Sequence, residues 1–244
     1  MIQRKKKYLS EVTIAEKLQR KDASRLIAQG TPHVHSCAFG EQDVCVRVTQ
    51  ARLSGQHAKY PWHPEKPQVR VRIRETADRA HHIQSILDTL FYAERNSIRD
   101  NIKLILEELT SNALYHSIKR ADGTALYRRN QSHTLKESEY IELACHRFHD
   151  GAFISVTDRG GALKLEDIGR CLERCYSKQG VEQIEKKEGG AGLGFFMIFE
   201  NVTHLEIVVT PKWATEVNLW LPLSGSIDPS YFSFNFWGET HVTK

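Results

Sequence analysis

No stretch of this 244-residue chain approaches the roughly 18 consecutive apolar residues that a membrane-spanning helix needs. The basic start is not followed by the apolar core of a signal peptide, so a cytoplasmic protein without a membrane partner is expected. The five cysteines are odd in number and lack the paired spacing of a zinc module or a secreted disulfide framework. Reduced thiols follow. Charge of one sign is also lacking: 34 Lys and Arg stand against 30 acidic residues, a net +4 that is too weak and too dispersed for a dedicated nucleic-acid surface. The one dense basic run, Arg4 to Lys7, reads as a solvated tail. No internal repeat or low-complexity tract is evident.

What remains is an ordinary globular composition, 40% hydrophobic and 26% charged. Residues 10 to 28 read as a short helix capped by Ser10, with Ile14, Leu18, Leu26 and Ile27 as its apolar positions. Val44, Val46 and Val48 alternate with polar neighbours, as a strand does. Pro61, Pro64 and Pro67 exclude a regular element from 56 to 67, which places a boundary near residue 66. Three stretches result: an N-terminal extension (1–66), a main domain (67–223) and an aromatic tail (224–244).

In the main domain Val69, Val71 and Ile73 alternate with arginines, marking a strand, and residues 76 to 93 and 97 to 118 carry helical periodicity. Two strands flank the Asp150-Gly151 hairpin signal. A helix from Leu165 to Cys175, another after Gly194, and strands over 204–210 and 215–223 complete the pattern. Hairpin-joined strands with helices grouped separately predict an α+β two-layer sandwich: a mixed, mostly antiparallel sheet with helices on one face.

Three motifs carry chemistry. Glu108, Asn112 and His116 recur every four residues, a turn of only about 40° per step, so they share one helix stripe. That stripe overlaps the apolar face set by Ile98, Ile102, Ile105, Leu109 and Ala113, where polar groups need partners. At Val156-Thr-Asp158-Arg-Gly160-Gly161, strand alternation points Asp158 to the same side as Ile154 and Val156, toward the layer between sheet and helices. The glycines allow a tight turn and close approach of a flat ligand, and an amino-purine offers the donor such a carboxylate wants. Gly189-Gly190-Ala-Gly192-Leu193-Gly194 then runs into an apolar helix, and a glycine-rich loop entering a helix presents N–H groups to phosphate. The polar stretch 165–188 precedes the loop instead of a strand, which excludes a dinucleotide βαβ unit.

In this order the motifs resemble the GHKL, or Bergerat-fold, ATPases, which include gyrase, heat-shock chaperones, mismatch-repair ATPases and histidine kinases. The resemblance covers roughly residues 68 to 223 and is greatest to the anti-sigma-factor serine kinases. It implies the histidine-kinase-like ATPase fold, with ATP or ADP and magnesium as cofactors. By this similarity Glu108 takes the place of the general base and Asn112 that of the magnesium ligand, and His116 matches a histidine that often follows. Asp158 and Gly160 match the adenine-reading turn, Gly190, Gly192, Leu193 and Gly194 the phosphate loop, and Thr215 a late-strand threonine near adenine. Residues 176 to 188, with Lys178, Lys186 and Lys187, would form a lid whose ammonium groups approach the terminal phosphate. The implied partner is a regulatory protein of the sigma-factor or anti-sigma-antagonist type. A nucleotide-dependent partner switch with little or no catalysis is the alternative, and a stand-alone histidine-kinase catalytic domain is a third reading. The chain departs from the family at Ala162, at Ala214 and at Glu188-Gly189, where the family has two glycines and a basic residue before the loop.

Outside these motifs, His33, His35 and Cys37 share one face of an expected strand and read as ordinary surface groups. Cys171 and Cys175 share a helical face and read as packed apolar groups. Phe232, Phe234 and Phe236 alternate, so one side of the tail needs cover from its own chain or from a second subunit of a homodimer.

Overall fold

A computed structural model of the chain describes residues 12–37, 43–118, 124–127, 131–177, 193–223, 228 and 230–238. In chain order the elements are β1 (Val12–Ala15), α1 (Arg20–Ala28), β2 (His33–Ser36), α2 (Val44–Leu53), β3 (Val69–Ile73), α3 (Arg79–Leu90), α4 (Asn96–His116), β4 (Ile141–Arg147), β5 (Gly151–Asp158), α5 (Leu165–Ser177), α6 (Gly194–Asn201), β6 (His204–Thr210), β7 (Ala214–Pro222) and β8 (Phe232–Trp237). The fold is α+β, with one open eight-stranded sheet ordered β1-β2-β8-β6-β7-β5-β4-β3. Strands from all three sequence stretches enter this sheet. Five of its seven pairings are antiparallel; β1–β2 and β6–β8 are parallel. Among the described residues no helix is long and apolar enough to cross a membrane.

The register explains where the core sits. Val34, Phe234, Leu205, Leu219, Ile154, Cys145 and Val69 stand side by side across seven strands. All belong to, or pack against, one apolar cluster shared with α1, α3, α4, α5 and α6. These five helices cover that front face, and the tail phenylalanines pack within the chain's own core.

One residue further along each strand the row reads His33, Asn235, Glu206, Asn218, Ser155, Ala144 and Arg70, on the opposite face. Here α2 and the segment through Tyr60 and His63 lie against the sheet. Thr49 of α2 donates to the Asn235 side chain at 3.0 Å, and Asn235 in turn donates to the Tyr60 hydroxyl at 3.0 Å. The expectation of helices on one face is thereby corrected: α2 sits behind the sheet, where polar strand positions supply hydrogen-bond partners.

Two local expectations also change. Residues 44–53 are helical because the Asp43 side chain accepts the Cys45 N–H at 2.8 Å, a helix cap. Cys45, Val48, Thr49 and Arg52 then share a helix stripe that the valine alternation obscured. Of the helix expected over 10–28, Ser10 lies outside the described residues, and residues 12–28 do not form one helix. The β-branched run Val12, Thr13, Ile14 forms β1, pairing parallel with β2, and the chain turns at Lys17, whose φ of 52° is left-handed, before α1 begins. His33 and His35, expected at the surface, are 2% and 1% exposed.

Candidate functional site

A cavity of about 350 Å3 opens between the front of the sheet and helices α4, α5 and α6. Its floor comes from Val156 and Asp158 of β5 and Thr215 and Val217 of β7, and its roof from Leu109, Asn112 and Ala113 of α4. Ile168 and Cys171 of α5 and Phe195 of α6 close the side. The walls are mainly apolar with a few polar groups, as expected of a small-molecule site.

Asp158 ends β5 in register with Thr215, pointing to the core side as its alternation with Ile154 and Val156 requires. Its Oδ1 accepts the Gly160 N–H at 2.7 Å. Burial pushes the carboxyl up to about 6, and hydrogen bonds from the backbone of Gly160, Gly161 and Thr215 and from the Thr215 side chain offset only part of that. A Cβ on Gly160 would collide with the Ser117 carbonyl, so this turn can approach the end of α4 only with glycine. Ala162 stands on the cavity wall, so its methyl borders the cavity.

Glu108, one helical turn before Asn112, is half-buried and lies against α6. A Cβ on Gly194 would run into the Glu108 carboxylate, so any larger residue here requires that flexible side chain to swing aside. Among the described residues lining the cavity, the charges are those of Asp158 and Asp167, with no Lys or Arg. No group of three or more His, Cys, Asp or Glu poised to hold a metal occurs among the described residues. Asn112 therefore offers one amide oxygen, which suits a magnesium ion that takes its other ligands from phosphate and water.

The structure thus brings Asn112, Asp158 and Thr215 to one cavity, with Glu108 and Gly194 in contact beside it. Gly160 supports the turn, and Leu193 precedes α6. His116 closes α4, but its side chain lies outside the described residues. Lys178, Lys186, Lys187, Gly190 and Gly192 also lie outside them. Sequence reasoning missed the apolar walls: Leu163, Ile168, Cys171 and Phe195. A signal was present in α5. Leu165, Ile168, Leu172 and Cys175 form the buried stripe, while Asp167 and Cys171 flank it at a four-residue step, on the side that borders the cavity. Cys175 is packed as expected, and Cys171 is half-buried on the cavity wall.

Among known proteins, no family model matches the chain and no curated protein is significantly similar to it.

Proposed function

We propose that the chain binds ATP or ADP with magnesium in this cavity and controls a regulatory protein partner in a nucleotide-dependent way. The observation that carries the reading is the convergence of Asn112, Asp158 and Thr215, far apart in sequence, on one purine-sized apolar space. Asp158 is the acceptor for the adenine amine, and Thr215 and the Gly160–Gly161 turn fix that carboxylate. Asn112 would hold magnesium, which would supply the charge neutralisation for phosphate that the described cavity walls lack. Glu108, one helical turn before Asn112, would take a proton from an attacking hydroxyl or water, the role of a base in phosphoryl transfer.

Two activities share this site. A serine/threonine kinase of the anti-sigma type consumes ATP when its partner is present, whereas a partner switch binds nucleotide without turnover. A carboxylate beside the first residue of α6 supports the kinase reading, in which Glu108 would act as base near the phosphates. The test is ADP release with candidate partners, comparing the parent with Glu108→Gln. Turnover lost and nucleotide binding kept in the variant supports the kinase; no turnover by the parent with any partner supports the switch. If neither ATP nor ADP binds, the reading is wrong.

A further inference from the structure

Arg20 opens α1 and is 5% exposed, a depth at which a guanidinium needs partners. It finds them at the far end of α6. Nη1 donates to the Phe199 carbonyl, and Nη2 donates to the Val202 carbonyl at 2.6 Å. The guanidinium carbon also lies 5.4 Å from the centre of the Phe199 ring and 4.9 Å from that of Phe232 in β8. A cation at a helix C-terminus is favourable because the last carbonyls are otherwise unpaired and carry partial negative charge. Glu200 adds a carboxylate near Arg20 and accepts the hydroxyl of Tyr176 in α5.

α6 has only eight residues, too few to be stable on its own. Its two ends are held by different parts of the chain: Gly194 by contact with Glu108, and the Phe199–Val202 end by Arg20. We propose that Arg20 is a positioning residue for the nucleotide site: by fixing the C-terminal end of α6 it holds Gly194 against Glu108, where phosphate enters. This rests on the ATP reading above. It gives α1, from the stretch before residue 66, a part in phosphate recognition without touching the ligand.

The test uses the full chain and the variants Arg20→Met and Arg20→Lys, titrated with ADP and with adenosine, alongside hydrogen exchange of residues 194–201 without nucleotide. Removing two buried charge-assisted hydrogen bonds should weaken ADP binding roughly tenfold or more in Arg20→Met. Adenosine affinity should fall much less than ADP affinity, since α6 lends the cavity wall only Phe195. Arg20→Lys should fall between the two, and exchange in α6 should quicken in Arg20→Met while α4 and β5 keep their protection. Equal losses for ADP and adenosine, or unchanged exchange in α6, would overturn the proposal. If the parent binds neither ligand, the nucleotide reading falls and the functional half of the proposal with it, while the exchange result still decides whether Arg20 holds α6.

Discussion

Asp158 stands directly opposite Thr215, at the last paired position of β5 on β7, and this pair brings two polar side chains to the floor of a mainly apolar cavity. Burial holds the carboxyl near 6, so its charge changes within an experimentally accessible range.

The first prediction concerns pH. A ligand amine that donates to Asp158 favours the carboxylate, so binding expels a proton when the free site is protonated. Affinity for adenosine, which has no phosphate to titrate, should be level above pH 6 and fall by roughly tenfold per unit below it. Calorimetric titrations from pH 5 to 8 check this, and Asp158→Asn should bind weakly with a flat profile. For stability the sign is opposite. The folded value of about 6 exceeds the ordinary 3.8, so this group's contribution falls as pH rises through that interval.

The second prediction lies behind the sheet. His33, His35 and His204 are buried beneath α2 and the segment through Tyr60, where the partly buried His63 joins them, and burial depresses all four. His33 and His63 fall to about 4 and His35 to about 3, against an ordinary 6.5. The unfolded chain therefore takes up protons first, and stability drops as pH falls from about 6.5 toward 4, by up to about 1.4 kcal/mol per pH unit for each histidine. Asp158 and the buried Glu206, both raised, oppose this, but they are two groups against four. Urea unfolding should show a clearly lower midpoint at pH 5 than at pH 7. Equal midpoints would contradict the buried, neutral histidines.

These histidines also mark what could not be read from the chain. The β4–β5 hairpin, the Val-Arg alternation of β3 and the helix that carries Glu108 and Asn112 are local patterns found where the sequence places them, although Gly151 opens β5 instead of filling a positive-φ turn. The burial of His33 and His35 depends instead on partners some 200 positions away, Asn235 and Ser233, which local spacing cannot reveal. The same holds for α2, whose valines fit either period until Asp43 caps the helix and Thr49 finds Asn235. In the site, the polar residues stood out by their cost of burial, whereas Ile168 and Phe195 looked like any core residues.

A third prediction uses the meeting of Gly194 and Glu108. Gly194→Ala puts a methyl where the Glu108 carboxylate lies, so that flexible side chain must swing aside, at about 1 kcal/mol, the low end for overpacking. Glu108→Ala should make the substitution at 194 nearly harmless. A double-mutant cycle on thermal stability measures that coupling, and additive effects would show that the two residues do not touch.

The fourth prediction is that magnesium alone binds weakly, because Asn112 would supply only one ligand and the described residues hold no group of three or more His, Cys, Asp or Glu that could hold a metal. ADP affinity should rise with magnesium in the parent and become nearly independent of it in Asn112→Ala. Titrations with and without a chelator make the comparison.

The most direct test of the central claim is a calorimetric titration of ADP with magnesium into the full chain and into Asp158→Asn. The account predicts saturable binding at one site, weakened roughly tenfold or more in the variant, whose amide cannot replace a carboxylate that accepts from ligand and backbone together. No binding by the parent, or equal affinity in the two proteins, would contradict it.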